Sequence, residues 1–115
     1  MQVRTKRFAV RVFFLCEGFP VSQGARVVSN QILKSSSSVA ANYRASGRAK
    51  SAADFINKLK IVEEEADETL FWLEYIKDIA LLQNTVELDL LTIEANELVS
   101  IITKSLKTLN SKSSN

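Results

Sequence analysis

The stretch that decides the fold runs from residue 38 to residue 75 and reads SVAANYRASGRAKSAADFINKLKIVEEEADETLFWLEY. Apolar residues recur in it at steps of three and four, the spacing that places side chains on one face of a helix. Gly47 interrupts the pattern, and Ser51 with Asp54 then forms the signature of a capping box, with Asp in place of the usual Glu. The stretch therefore predicts two long helices joined by a tight turn.

The second of these helices has the most regular apolar stripe of the chain. Its steps alternate between four and three residues, which is the period of helices that cross at a shallow angle in a bundle. The stripe consists of Phe55, Leu59, Val62, Ala66, Thr69, Leu73, Ile76 and Ala80. We predict that this helix extends over residues 51–82.

Shorter stripes of the same kind predict three more helices, over residues 5–17, 22–46 and 87–110. Residues 84–87 have the pattern of a second capping box, which would start the last helix. Four amphipathic helices with short connections make an all-α, antiparallel up-down-up-down four-helix bundle.

Length and composition fit one small domain. Only three Gly and one Pro occur among 115 residues, so the chain has few turns. We expect the bundle to span residues 1–110 and residues 111–115 to form a polar, frayed tail. No apolar run approaches the length of a membrane span, and no signal-peptide cleavage site follows the basic N-terminus, so we expect a soluble, cytoplasmic protein that does not contact the membrane.

The run of four serines at residues 35–38 has two interpretations. Serine runs often form flexible linkers. The apolar periodicity, however, continues through the run, and Ala40 and Ala41 follow it directly. We therefore predict that these serines are packing residues, whose small size lets a neighbouring helix approach and whose hydroxyls bond back to the preceding turn.

Four segments of the chain resemble a known family. They are Ser38-Val39-Ala40-Ala41-Asn42-Tyr43-Arg44-Ala45, Ala53-Asp54-Phe55-Ile56, Ile61-Val62-Glu63-Glu64-Glu65-Ala66-Asp67-Glu68-Thr69 and Phe71-Trp72-Leu73-Glu74. In these segments the chain resembles the small bacterial four helix bundle proteins, also called 23S rRNA-intervening sequence proteins. The resemblance implies a ring-shaped homopentamer. It also implies contact with RNA, since some relatives are RNA-associated accessory proteins of retroelements, although those are strongly basic and this chain has an acidic second half.

The apolar residues outnumber the positions that one small bundle can bury. The last two predicted helices carry apolar side chains beside their core stripes, namely Phe71, Trp72, Tyr75, Ile79, Leu90, Ile93, Val99, Ile101 and Leu106. Large exposed apolar patches mark interfaces. This surplus predicts a homo-oligomer that associates through these two helices, and the number five comes from the resemblance alone.

Residue types that are absent argue against most enzymatic chemistry. The chain has no His, which removes the Glu-x-x-His ligands of a di-iron bundle and the commonest general base. Its single cysteine, Cys16, lies in an apolar run and is expected to be a buried core thiol. No Gly-rich phosphate loop occurs. We therefore expect neither an enzyme, nor a cofactor, nor a small-molecule substrate. A metal-assisted activity of the acidic run at residues 63–68 is the enzymatic alternative.

The net charge of +2 conceals a strong segregation along the chain. Residues 26–60 contain seven basic side chains and one acid, whereas residues 61–97 contain eleven acids and one lysine. Basic side chains gathered on one surface form an electrostatic footprint for a nucleic-acid backbone. The candidate nucleic-acid-binding residues are Arg4, Lys6, Arg7, Arg11, Arg26, Lys34, Arg48 and Lys50. Tyr43 is the best candidate for stacking on a base.

These observations favour a non-enzymatic oligomeric scaffold that associates with RNA or with an RNA-handling protein. The alternative is a module for protein–protein interaction alone, in which the basic residues merely balance the acids of the third helix. Antiparallel pairing of the second and third helices would place Arg44 near Asp54 and Lys34 near Glu64, as this alternative requires. Asn42, on the core stripe, is expected to be structural and to fix the helix register by a buried hydrogen bond.

Overall fold

The chain folds into four antiparallel α-helices in a computed structural model. The description covers residues 1–113, without the side chain of Ser113. They are α1 (Gln2–Glu17), α2 (Gln23–Ser46), α3 (Ala52–Asp78) and α4 (Val86–Ser113). Each helix packs against the next, and α4 returns to contact α1, whereas the backbones of the diagonal pairs have no Cα atoms within 8 Å of each other among these residues. The predicted all-α, up-down-up-down bundle is confirmed, and no strand occurs in the described range.

The core consists of two clusters stacked along the bundle, whose longest extent is 51 Å. The first cluster contains residues of all four helices, among them Phe8 of α1, Ile32 of α2, Leu73 of α3 and Leu91 of α4. The second contains only residues of α2, α3 and α4, among them Val39, Leu59, Val62, Ala66, Ile102 and Leu106. Because α1 is the shortest helix, with 16 residues, it contributes no buried residue to the second cluster.

Serine caps define the start of α2 and of α3. Ser22 Oγ accepts a hydrogen bond from the backbone N–H of Ala25 at 3.1 Å, and Ser51 Oγ accepts one from that of Asp54 at 3.0 Å. The Asp54 carboxylate reaches back to the N–H of Lys50 at 3.0 Å, one residue before the position that a standard capping box would use. Both helices therefore begin within one residue of the predicted position.

The second predicted capping box, at residues 84–87, is wrong. The side-chain oxygen of Asn84 accepts a hydrogen bond from the N–H of Val86 at 3.1 Å, so α4 starts one residue earlier than expected. The Glu87 carboxylate turns away from the helix start and binds Arg11 of α1 instead. A strong ion-pair partner from another helix thus replaces the weaker local cap.

The serine run is helical throughout, which excludes a linker at residues 35–38. Ser35 and Ser36 are fully buried between helices, whereas Ser37 is exposed and Ser38 is half-buried. Ser35 Oγ donates to the carbonyl of Ile32 at 3.2 Å and accepts from Thr69 Oγ1 of α3 at 2.8 Å. The predicted packing role is confirmed for the first two serines, and Ser35 and Thr69 also join α2 to α3.

Helix α3 ends at Asp78, four residues before the predicted end. Ala80 has a left-handed backbone with φ of 51°, and its N–H bonds to the carbonyl of Lys77 at 3.1 Å. The N–H of Leu81 bonds to the carbonyl of Ile76 at 3.2 Å, which completes a Schellman motif. The assignment of Ala80 to the core stripe is therefore wrong, and this residue is an exposed helix stop.

The aromatic pair Phe13–Phe14 on α1 is exposed. The two rings pack edge-to-face with centroids 5.3 Å apart. At the other end of the chain, α4 continues to Ser113, so residues 111–113 of the predicted tail are helical. Ser114 and Asn115 lie outside the described residues. No helix within residues 1–113 is long and apolar enough to cross a membrane.

The backbone of Ala80 gives a stability prediction. A Cβ in the left-handed region costs roughly 1 kcal/mol, and glycine avoids this cost. We expect Ala80→Gly to raise the free energy of unfolding by about 1 kcal/mol, measured by urea denaturation. Ala41→Gly, at an exposed helical position, is the control and should lower it by about 0.5–1 kcal/mol. A loss of stability in Ala80→Gly would contradict this account of the helix stop.

The buried serine gives a second prediction. Ser35→Leu adds volume where α2 and α3 approach closely, and it removes the hydrogen bond from Thr69 to α2. We expect it to lower the free energy of unfolding by about 1–3 kcal/mol through overpacking. The matched variant Ser37→Leu changes an exposed neighbour and should have an effect within about 0.5 kcal/mol. Equal thermal melts for the two variants would show that the α2–α3 contact is not tight.

Candidate nucleic-acid interface

Basic side chains converge where α2 ends and α3 begins. The antiparallel order brings the start of α1 to the same end, and the Gln2 side chain lies beside Gly47. The residues that gather here, which we call the basic end, are Lys6, Arg44, Arg48, Lys50 and Lys58. None of the five forms an ion pair within 4 Å in the described part of the chain. Their charges are therefore available to an external anion.

Two shallow grooves run through the basic end. The turn groove, of about 470 Å³, is lined by Arg44, Arg48, Lys50 and Lys58 together with Asp54 and two alanines. The α1–α2 groove, of about 670 Å³, shares Ala41, Arg44 and Arg48 with it and continues along α1 past Lys6. Both grooves have a floor that includes alanine side chains, so a bound chain could approach the backbone of α2 closely.

Asp54 is the one carboxylate in the turn groove. It accepts the backbone N–H of Lys50 at the start of α3, where a negative charge also complements the helix dipole. Arg44 lines the same groove but forms no ion pair with Asp54 among the described residues. Arg44 and Asp54 therefore lie close together, as expected. Arg44 is not neutralised by Asp54, however, as it would be if the basic residues only balanced the acids of the third helix.

Two of the eight candidate residues, Arg4 and Arg11, are engaged in ion pairs with α4. Arg4 binds Glu94 through two hydrogen bonds of 2.8 and 2.7 Å and also reaches Glu97. Arg11 binds Glu87 through two hydrogen bonds of 3.1 and 2.7 Å. Hydrogen bonds from these guanidinium groups lower the pKa of Glu87 and of Glu94 below the ordinary value. Both arginines hold α1 on α4 and are occupied there.

Three further candidates lie outside the basic end. Arg7 is exposed on α1 and lines neither groove. Arg26 lies in the first turns of α2, about 33 Å along the helix from Arg48 at 1.5 Å per residue. Lys34 lies in the middle of α2, where its positive charge acts to lower the pKa of Glu65. Burial of Glu65, with a smaller contribution from the charge of Glu68, outweighs this effect and raises the pKa.

The structure adds cations that the set of eight did not contain. Arg44 and Lys58 line the turn groove directly. The last turns of α4 also run toward the basic end and carry Lys104 and Lys107, both exposed. The signal that could have identified these residues is the antiparallel order itself, since it brings the end of α4 beside the start of α3.

Asn42 is structural, but its contacts differ from the expected ones. Its Nδ2 donates to the carbonyl and to the hydroxyl of Ser38, both at 2.9 Å, so it bonds within α2 and is only half-buried. Thr69 and Thr103 donate hydrogen bonds between helices instead, the second of them from Oγ1 to the Glu63 carboxylate at 2.7 Å. The prediction that Asn42 fixes the helix register is therefore wrong.

Tyr43 is less available for stacking than expected. Its ring is half-buried and packs against the second core cluster. It also lines a groove of about 460 Å³ with Phe55 and Ile102. A base could not reach both faces of this ring without moving the core.

The groups that could support metal or nucleophilic chemistry are dispersed or buried. No cluster of three or more His, Cys, Asp or Glu side chains suited to a metal ion occurs in the described range. Glu64, Asp67 and Glu68 face solvent on α3, and Glu63 accepts a hydrogen bond from α4. Cys16 is buried in the core, as predicted, and burial raises the pKa of its thiol to about 12.

Comparison with known proteins identifies the family. The model of the 23S rRNA-intervening sequence proteins matches residues 2–104. The chain belongs to this family. A crystal structure of a protein of unknown function from the S23 ribosomal protein family of Bacteroides thetaiotaomicron is similar to this member, with 33% sequence identity and a TM-score of 0.83. The match covers 92% of this chain and 97% of that one. No curated protein matches this 23S rRNA-intervening sequence protein.

The α1–α4 ion pairs give a pH prediction. Glu87 and Glu94 have pKa values lowered by folding, so they contribute stability above about pH 4.5 that is lost as the pH falls through their folded pKa values. Thermal melts from pH 6 to pH 3 should therefore show a falling Tm. Glu94→Gln should have a lower Tm at pH 6 and a smaller fall toward pH 3. Glu64→Gln, at an exposed unpaired site, is the control and should keep the wild-type slope.

Proposed function

We propose that this protein is a non-enzymatic, cytoplasmic scaffold that binds the phosphate backbone of structured RNA with its basic end. The observation that carries the proposal is the convergence of Lys6, Arg44, Arg48, Lys50 and Lys58, none of them ion-paired within the described residues. An external polyanion would supply the negative charge that the fold itself does not provide.

Phosphate contacts of this kind bind without reading sequence. Lysine and arginine neutralise phosphates and release condensed counterions, which makes affinity depend steeply on salt. The described lining of the turn groove contains no aromatic side chain, and Tyr43 is packed against the core. We therefore propose recognition of the RNA backbone and its shape, with no preference among bases.

The proposal includes self-association. Five apolar side chains of α3 and α4 are between 40% and 58% exposed, namely Phe71, Tyr75, Ile79, Leu90 and Ile93. Exposed apolar surface of this extent is typical of a protein–protein interface. The homopentamer implied by the family resemblance is the assembly that we propose. A ring would repeat the basic end once per subunit, so that weak phosphate contacts add up by multivalency.

Protein–protein scaffolding without RNA is the second candidate function. It is favoured by the mildly positive net charge of +2 and by the exposed aromatic side chains of α3. In that case the basic end would meet acidic protein surfaces, and RNA would not bind at low salt. Retention of RNA therefore separates the two functions.

Filter binding of a structured RNA, titrated in about 50 mM salt and again in about 200 mM salt, tests the proposal. We expect retention at the lower concentration and a steep loss at the higher one. Arg48→Ala combined with Lys50→Ala should weaken binding at least tenfold and flatten the salt dependence by roughly two contacts, equally for RNAs of different sequence.

The matched control combines Arg26→Ala with Lys34→Ala. This variant loses the same two charges from positions outside the basic end, so it should bind within about twofold of the wild type if location matters. Equal weakening of the two double variants would show that only net charge attracts RNA. No retention of the wild type in about 50 mM salt would reject RNA binding and favour the protein–protein scaffold.

A further inference from the structure

The α1–α2 groove has an apolar wall of its own beyond the basic end. Val3, Val10 and Phe13 of α1 line it and are 70%, 46% and 46% exposed. Ala9 of α1 and Ala40 and Ala41 of α2 also line it, so both helices contribute small side chains to the groove. A groove of this shape, between two antiparallel helices, accommodates a third helix or a row of aromatic rings.

The opposite kind of surface stands on α3. Phe71, Trp72 and Tyr75 form a contiguous cluster whose ring centroids are 5.0 to 6.0 Å apart. Phe71 is 52% exposed and Tyr75 is 40% exposed. We call this cluster the aromatic ridge. Clustered, partly exposed aromatic side chains are the usual anchors of protein interfaces.

The charges around the two surfaces are complementary. The aromatic ridge is surrounded by five exposed acids of the same helix that form no ion pair in the described chain, namely Glu64, Asp67, Glu68, Glu74 and Asp78. The α1–α2 groove is bordered by Lys6, Arg44 and Arg48, which are also exposed and unpaired. Opposite potentials of this kind select the partner surface and its orientation.

We propose that the α1–α2 groove of one subunit receives the aromatic ridge of a second copy of this chain. The inference rests on the proposed self-association and specifies which surfaces meet. Helix α3 is adjacent to α2 and α4 and diagonal to α1 among the described residues, so the ridge and the groove lie on different sides of one bundle. The contact is therefore head-to-tail, which leads to a ring when the rotation closes rather than to a two-fold dimer.

This arrangement leaves part of the basic end accessible. Lys50 and Lys58 line the turn groove and not the α1–α2 groove. A neighbour seated in the α1–α2 groove would cover Lys6 and reach Arg44 and Arg48, while Lys50 and Lys58 stay open to RNA. Self-association and RNA binding can thus occur on the same subunit.

Two variants provide the test, one that disrupts the α1–α2 groove and one that disrupts the aromatic ridge. Val10→Asp places a carboxylate in the groove, and Phe71→Asp removes an anchor of the ridge. Both positions are about half exposed, so the bundle should fold, which circular dichroism verifies. Light scattering should give an oligomer for the wild type and a mass near the 12.8 kDa of one chain for each variant. Val21→Asp, at a 98% exposed loop residue outside both surfaces, should keep the wild-type mass.

An equimolar mixture of the two variants decides the geometry. One intact ridge and one intact groove remain, on different chains, so the mixture should form a complex of two chains and stop there. A mixture that stays at one chain mass, or variants that keep the wild-type mass, would overturn the pairing of groove and ridge while leaving self-association intact. A wild type of one chain mass would reject self-association itself and this inference with it.

Discussion

The close approach of α2 to α3 is the constraint on which the rest of the molecule depends. Ser35 presents little more than a hydroxyl to α3, and Thr69 donates a hydrogen bond to it at 2.8 Å across the gap. Larger side chains at these positions would separate the two helices. Their contact sets the position of the turn at Gly47, and that turn places the cations of α2 and α3 together. The position of the candidate interface thus depends on the tight, buried contact between α2 and α3.

Helix α1 is held in a different way from the other helices. It packs on α2 through the first core cluster, while its contact with α4 is supported by the ion pairs of Arg4 and Arg11. Two bidentate arginine–carboxylate contacts give this sparse interface a defined register, since the planar guanidinium fits a carboxylate in one orientation. The same contacts withdraw two cations from the surface, so the position of α1 also determines which arginines can meet a polyanion.

Much of the fold follows from the sequence, and the site only in part. The stripes of α2 and α3 and the cap at Ser51 identify the helices, because periodicity and capping are local properties. The end of α3 was misplaced because Ala80 adopts a backbone that usually requires glycine, which composition does not reveal. The pairing of Arg11 with Glu87 could not be predicted from spacing, since 76 residues separate them. Charge segments show where cations are abundant, but only the antiparallel packing shows which cations remain unpaired.

The location of the charges at the ends of the bundle gives the molecule an electric dipole along its long axis. The cations of the basic end are joined by the lysines near the end of α4, whereas Glu74 and Asp78, which form no ion pair among the described residues, lie near the end of α3. A dipole over a bundle 51 Å long is turned by the field of an approaching polyanion before any contact forms. Encounters with such a partner are therefore biased toward one end of the molecule, and dissolved salt weakens this bias by screening the field.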